Sequence, residues 1–141
     1  MQFSLIFHGE PVPNFRPRFN GKFAYNDKRY MNYKAQLAAE IKYLFREYIT
    51  RPPAPNTPAR SQYLQANRYK LSVKAFRSCN RGDVDNFLKT IQDALQDSGL
   101  ILDDSQLDKV IAEKFIDKMR PRIEFTLTKL QNTEQMKLLE S

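Results

Sequence analysis

Cysteine occurs once in this 141-residue chain, at Cys79, and histidine once, at His8. A lone cysteine excludes an internal disulfide and fits a reducing compartment. Cys79 also lacks a partner for nucleophilic thiol chemistry, and His8 has none that points to catalysis, so both read as structural or surface residues. Long apolar runs are missing as well. The opening MQFSLIFHGEP has no basic stretch before its short apolar run, so it reads as neither a signal peptide nor a spanning helix. There is no internal repeat. With a mean hydropathy of -0.64, the expectation is a soluble cytoplasmic protein. Apolar residues make up 41% of the chain, enough at this length for one cored domain over residues 1–130, followed by a tail at 131–141.

Positive charge, by contrast, is plentiful, with a formal net of +7. It is unevenly placed. Residues 14–34 hold Arg16, Arg18, Lys22, Lys28, Arg29 and Lys34 against Asp27 alone. Residues 68–81 hold five more cations and no acid. Between these basic segments and the basic stretch 109–122 lies an island, residues 82–108, in which seven aspartates face only Lys89. A polyanion would be repelled by that island unless cations filled it. A solvated acidic helix face beside unrelated basic loops is the plainer alternative.

Phe3, Leu5 and Phe7 alternate with Gln2, Ser4 and Ile6, which predicts a strand ending at Gly9. GEPVPNFRPRFNGKFAYND is rich in proline and glycine and predicts an extended loop or irregular hairpin. From Met31, the apolar stripe Leu37, Ala38, Ile41, Leu44, Phe45 and Tyr48 predicts a helix. TRPPAPNTPARS predicts a surface linker. Alternation over Tyr69–Phe76 predicts a strand with one basic wet face. A second helix is expected to start with Asp85 as its N-cap, to bury Phe87, Leu88, Ile91, Ala94 and Leu95, and to end at Gly99. Strands at 110–116 and 123–127 complete the pattern. The order predicts an α/β or α+β domain, with two main helices packed on a small mixed sheet.

On a helical wheel, at about 100° per residue, Asp85, Lys89 and Asp93 are successive neighbours on one exposed edge. Asp83 lies just before the helix, and in an extended Asp-x-Asp both carboxylates can point to one side. Asp103 and Asp104 follow the turn that brings the chain back. Converging carboxylates repel unless protons or cations intervene. Oxygen ligands without cysteine or histidine point to Mg²⁺ or Mn²⁺ rather than zinc. Such ions serve phosphate chemistry, and an adjacent lysine can stabilise the developing charge. On spacing alone, Asp85 as a cap and Lys89 in surface ion pairs explain the same residues. Sugar transferases that bind nucleotide diphosphates through a metal also carry an Asp-x-Asp.

GDVDNFLKTIQDAL followed by GLILDDSQ resembles the RusA family of Holliday junction resolvases, whose pattern runs Asp-x-Asp-Asn, Lys, Asp-Ala-Leu, then Asp-Asp after a glycine. GEPVPNFRPRF resembles the opening loop of the family's phage-associated members. The resemblance spans residues 3 to 127. It implies a homodimeric, Mg²⁺-dependent endonuclease that makes paired nicks in four-way DNA junctions during recombination and repair, in a bacterial or prophage setting close to the nucleoid. By motif, Asp83, Asp85 and Asp104 are expected to hold the metal and Lys89 to act in catalysis, with Asn86, Asp93 and Asp103 in support. The Pro-rich stretch 51–60 and the tail beyond Lys129 depart from the pattern.

Within that reading, Arg16, Arg18, Lys22 and Arg29, interleaved with aromatic residues, suit backbone contacts and base stacking. Arg77 and Arg81 precede the acidic island and suit a clamp on the phosphate beside the scissile bond. A non-catalytic branched-DNA-binding relative with the same fold is the alternative.

Overall fold

The computed structural model describes residues 1–14, 18–19, 24–25 and 28–131, with only the backbone described at 18–19 and 24–25. In chain order the elements are β1 (Gln2–His8), β2 (Arg18–Phe19), β3 (Ala24–Tyr25), α1 (Lys28–Leu44), a 3₁₀ turn at Arg46–Tyr48, α2 (Pro58–Ala66), β4 (Tyr69–Arg77), α3 (Val84–Ser98), a second 3₁₀ turn at Asp104–Gln106, β5 (Leu107–Ile116) and β6 (Arg122–Lys129).

Alternation in the strands builds the core. Phe3 and Leu5 of β1, Leu71, Val73 and Ala75 of β4, and Ile123, Phe125 and Leu127 of β6 all point inward, because a strand sends successive side chains to opposite faces. Onto that face pack Leu37, Ala38 and Ile41 of α1 and Phe87, Ile91, Ala94 and Leu95 of α3. The sheet order is β1-β6-β4-β5. β6 is antiparallel to both β1 and β4, whereas β5 runs parallel to β4. The parallel pair requires a crossover, which α3 supplies. The result is the α+β domain with a mixed sheet that the sequence predicted.

Three local expectations differ. Asp83, not Asp85, is the residue at the N-cap of α3, and Asp85 lies in the first turn. Positive φ at Gly82 turns the chain two residues earlier than the apolar pattern indicates. The end of the expected linker at 50–61 instead begins a helix, α2, which runs over Pro58–Ala66: the Thr57 side chain accepts from Arg60 N, and Pro58 stands at the start, where its missing N–H costs nothing. The α1 stripe ends early, leaving Leu44 47% and Tyr48 52% exposed. Tyr48 has left the helix for the 3₁₀ turn, where its ring meets Phe3 edge-on at 5.2 Å.

Candidate active site

The acidic residues gather at the head of α3. Gly82 has φ +87, and a Cβ there would come within 2.8 Å of the Phe87 ring. Only glycine supplies both the left-handed turn and the close approach. The next residue, Asp83, makes no side-chain cap hydrogen bond. Asp83 and Asp85 are exposed, and no described residue pairs with either carboxylate. The positive end of the helix dipole favours them there, while their oxygens stay available to a ligand.

One turn further, Lys89 Nζ is 3.2 Å from Asp93 Oδ1 and 3.9 Å from Asp104 Oδ2. The predicted edge of Asp85, Lys89 and Asp93 is thus occupied by an ion pair at its distal end. Asp93 is itself anchored: its Oδ2 accepts from the buried Tyr30 hydroxyl at 2.6 Å and from Asn14 Nδ2 at 3.3 Å. Burial, then the bond to Asp93, raises the Tyr30 hydroxyl well above the ordinary phenol range. The phenol therefore stays protonated as a donor.

Asp103 and Asp104 arrive on the second 3₁₀ turn. Gln106, 1% exposed, holds that turn from within. Its Oε1 accepts from Leu102 N at 2.7 Å and Asp103 N at 3.1 Å, while its Nε2 donates to Asn67 O at 2.9 Å. Asp103 caps the turn and also accepts from Ser105 Oγ. Its carboxylate is engaged locally, whereas that of Asp104 faces Lys89. Asn86 contributes through its backbone: its carbonyl accepts from Asn14 N at 3.0 Å and from Thr90 Oγ1 at 3.1 Å. Thr90 also donates to Val12 O at 2.9 Å, so the segment before residue 15 is pinned along α3.

Beside the acidic head lies a cleft of about 270 Å³ lined by Pro13, Arg29, Arg77, Arg81 and Gly82. Three of the predicted DNA-contacting cations therefore meet in one place. They are not equivalent. Arg29 and Arg81 are exposed, but Arg77 is only 8% exposed. Its Nε lies 2.9 Å from Glu10 Oε1, its Nη1 donates to Pro11 O at 3.0 Å, and its guanidinium sits 5.0 Å from the Phe87 ring centre. Arg77 serves as a strut of the cleft wall as well as a source of positive charge. Of the remaining predicted contacts, Arg16 and Lys22 lie outside the described residues, and Arg18 is described only as part of β2.

Several participants carry no motif. Tyr30, Asn14, Glu10, Thr90 and Gln106 act by hydrogen bonds across 63 to 79 residues of sequence for Tyr30, Asn14 and Thr90, and 68 for Glu10. Nothing in local spacing marks such pairs.

Among the described residues no three Asp, Glu, His or Cys side chains are gathered as a metal cage. The chemistry of the donors still fits a hard divalent cation, because Asp83, Asp85 and Asp104 are all oxygen ligands.

An α+β sheet bearing an acidic helix head beside an arginine-lined cleft defines a protein that handles a polyanion. The family model for endodeoxyribonuclease RusA matches residues 8–128, and the chain belongs to that family. It is accordingly an endonuclease of the Holliday junction resolvase type, acting on branched DNA. No curated protein matches the chain.

Proposed function

We propose that the protein is a homodimeric, Mg²⁺-dependent resolvase that cuts four-way junctions by paired symmetric phosphodiester hydrolysis, with Mn²⁺ as a substitute ion. Residues 1–130 form the catalytic domain and 131–141 a tail. Its place of action is the cytoplasm, on recombining or repairing DNA; no described helix is long and apolar enough to cross a membrane.

The observation that carries this reading is the juxtaposition of Asp83 and Asp85, unpartnered among the described residues, with the cleft of Arg29, Arg77 and Arg81. Arg29 and Arg81 seat a backbone phosphate by charge-assisted hydrogen bonds, and the Glu10–Arg77 pair fixes the wall against which it rests. Asp83, Asp85 and Asp104 hold the cation, which supplies charge neutralisation and water activation when bound. Lys89, held by Asp93, places a positive charge at the phosphate as negative charge builds up. Asn86 and Asp103 keep the two carboxylate-bearing turns in place. Arg16, Arg18 and Lys22 extend the contact along the DNA backbone.

An Asp83→Asn variant tests the assignment. It is expected to bind junction DNA at least as well as the parent, since one repelling charge is gone, and to lose nicking by about a hundredfold or more. Native-rate cutting would remove Asp83 from the ligand set. The non-catalytic reading draws support from the Lys89–Asp104 contact, which ties up one of the three carboxylates. Calorimetry separates the two, since a binder without chemistry takes up neither Mg²⁺ nor Mn²⁺ even with DNA present.

A further inference from the structure

β5 and β6 are consecutive in the chain but lie on either side of β4, so the loop between them, residues 117–121, crosses the end of β4. That end is where the cleft begins. Asp117 N donates at 2.7 Å to the carbonyl of Arg77, the last residue of β4 and part of the cleft wall. Gly9 N donates to Pro121 O at 3.0 Å, and Lys114 Nζ, three residues before the loop, donates to Gly82 O at 2.7 Å. The loop therefore stands at the same end of the sheet as the acidic head of α3.

At its tip is Met119, 88% exposed and more open than any other large apolar side chain among the described residues. Single exposed apolar residues are ordinary on protein surfaces. The support beneath this one is not. Asp117 Oδ1 accepts from Arg120 N at 3.1 Å, which closes the turn under Met119. Arg122 braces the turn through Nη1, which donates to Asp117 Oδ2 at 2.9 Å and to Arg120 O at 2.8 Å. Its Nε donates to Glu124 Oε2 at 3.0 Å, and its guanidinium lies 3.8 Å from the centre of the Phe76 ring, which stacks on Phe115. The bond to Arg122 holds the Asp117 carboxyl below the ordinary carboxylate range, so the brace stays ionised at neutral pH. Met119 is thus held out into solvent by a fixed turn.

Its neighbours in the chain are both cations. Lys118 and Arg120 are exposed, and no described acid pairs with either side chain. An apolar side chain projecting between two free cations suits a nucleic acid: the cations meet phosphates, and the apolar group replaces a base-on-base contact that water cannot replace well.

We infer that Met119 is a wedge that enters the branch point of the junction and unstacks a base step there, with Lys118 and Arg120 on the flanking phosphates. Unstacking is costly inside a continuous duplex and cheaper where the stack is already interrupted. A wedge at this place favours branched over linear DNA without reading base sequence. By opening the branch, it lets a neighbouring phosphate reach the cleft of Arg29, Arg77 and Arg81. Met119 is accordingly a specificity residue that acts away from the bond that breaks. The inference rests on the action on branched DNA, and its test separates the failure of one from the failure of the other.

The full-length protein is mixed with four-way junctions carrying 2-aminopurine beside the branch point, and with a linear duplex carrying the same base. Emission is read at saturating protein, confirmed by anisotropy, in chelator and in Mg²⁺ before nicks accumulate. The parent is expected to raise emission from the junction and not from the duplex. In Met119→Ser the rise falls below about half the parent's, and the preference for junction over duplex drops by about tenfold, while Met119→Leu keeps both. Replacing Lys118 and Arg120 with glutamine weakens binding and makes its salt dependence shallower, by about one unit of slope for each lost phosphate contact. A bound parent that leaves emission unchanged, an equal rise in parent and Met119→Ser, or a leucine variant as impaired as the serine one would each overturn the inference. Nicking of the same junctions by the parent reports separately on the nuclease reading. Paired nicks without a rise in emission refute the wedge alone, whereas a junction neither bound nor nicked removes both.

Discussion

Gly82 is the residue on which the head of α3 turns. Its φ of +87 and the 2.8 Å approach of any Cβ to the Phe87 ring leave little room for substitution. Gly82→Ala is expected to lower stability by about 1–3 kcal/mol, measured by urea unfolding, and to reduce nicking further by displacing Asp83. A neutral outcome in both would show that the turn relaxes freely. The same residue explains the shifted cap. Apolar spacing places the helix face correctly at Phe87, Ile91, Ala94 and Leu95, but it is blind to the backbone angle that starts the helix at Val84. The Asp-x-Asp-Asn-x-x-Lys sequence was legible because neighbouring members are only one to three residues apart. Tyr30, 63 residues from Asp93, was not, since a buried tyrosine on an amphipathic helix looks like any core aromatic.

At the scale of elements, the second 3₁₀ turn carries Asp104 and depends on one buried amide. Gln106 makes three hydrogen bonds, two of them to consecutive backbone N–H groups. Removing it strands those groups in a low-dielectric interior, so Gln106→Ala is expected to cost about 2 kcal/mol by denaturant unfolding and to reduce nicking more than DNA binding. Equal losses in both would make Gln106 a general core residue rather than a support of Asp104. α2 shows how an element escapes detection. It buries no residue fully, so it has no apolar stripe, and the prolines before it dominate the local reading. The Thr-Pro start at 57–58 was the available signal: a hydroxyl to cap and a proline suited to a first turn.

For the whole molecule, α1 and α3 are joined by the Tyr30–Asp93 hydrogen bond, and the fold controls the protonation of three tyrosines. Tyr30, Tyr33 and Tyr69 all titrate above the ordinary phenol value of 10.0, in each case first because of burial. The folded state favours the neutral phenol, so this contribution is complete below the unfolded value and is lost as pH climbs past it. The melting temperature is therefore expected to fall as pH is raised from about 9 to about 11, with a shallower fall in a Tyr30→Phe, Tyr33→Phe double variant. A decline identical in parent and variant would assign alkaline sensitivity to other groups. The overall plan, two helices on one face of a mixed sheet, was readable because alternation and helical periodicity report burial directly. The arginine-lined cleft was only half readable: charge marked Arg29, Arg77 and Arg81, but only the folded chain brings them to one side of Gly82.

The central claim is that the acidic head of α3 and its arginine cleft cut branched DNA with the aid of a divalent cation. The direct measurement is incubation of the full chain with a synthetic four-way junction, end-labelled in turn on each strand, with Mg²⁺ and with chelator. Paired nicks at symmetric positions on opposite strands, present with Mg²⁺ and absent with chelator, are the predicted result. A junction that is bound but left intact in Mg²⁺ and in Mn²⁺, or cut equally well in chelator, would contradict the account.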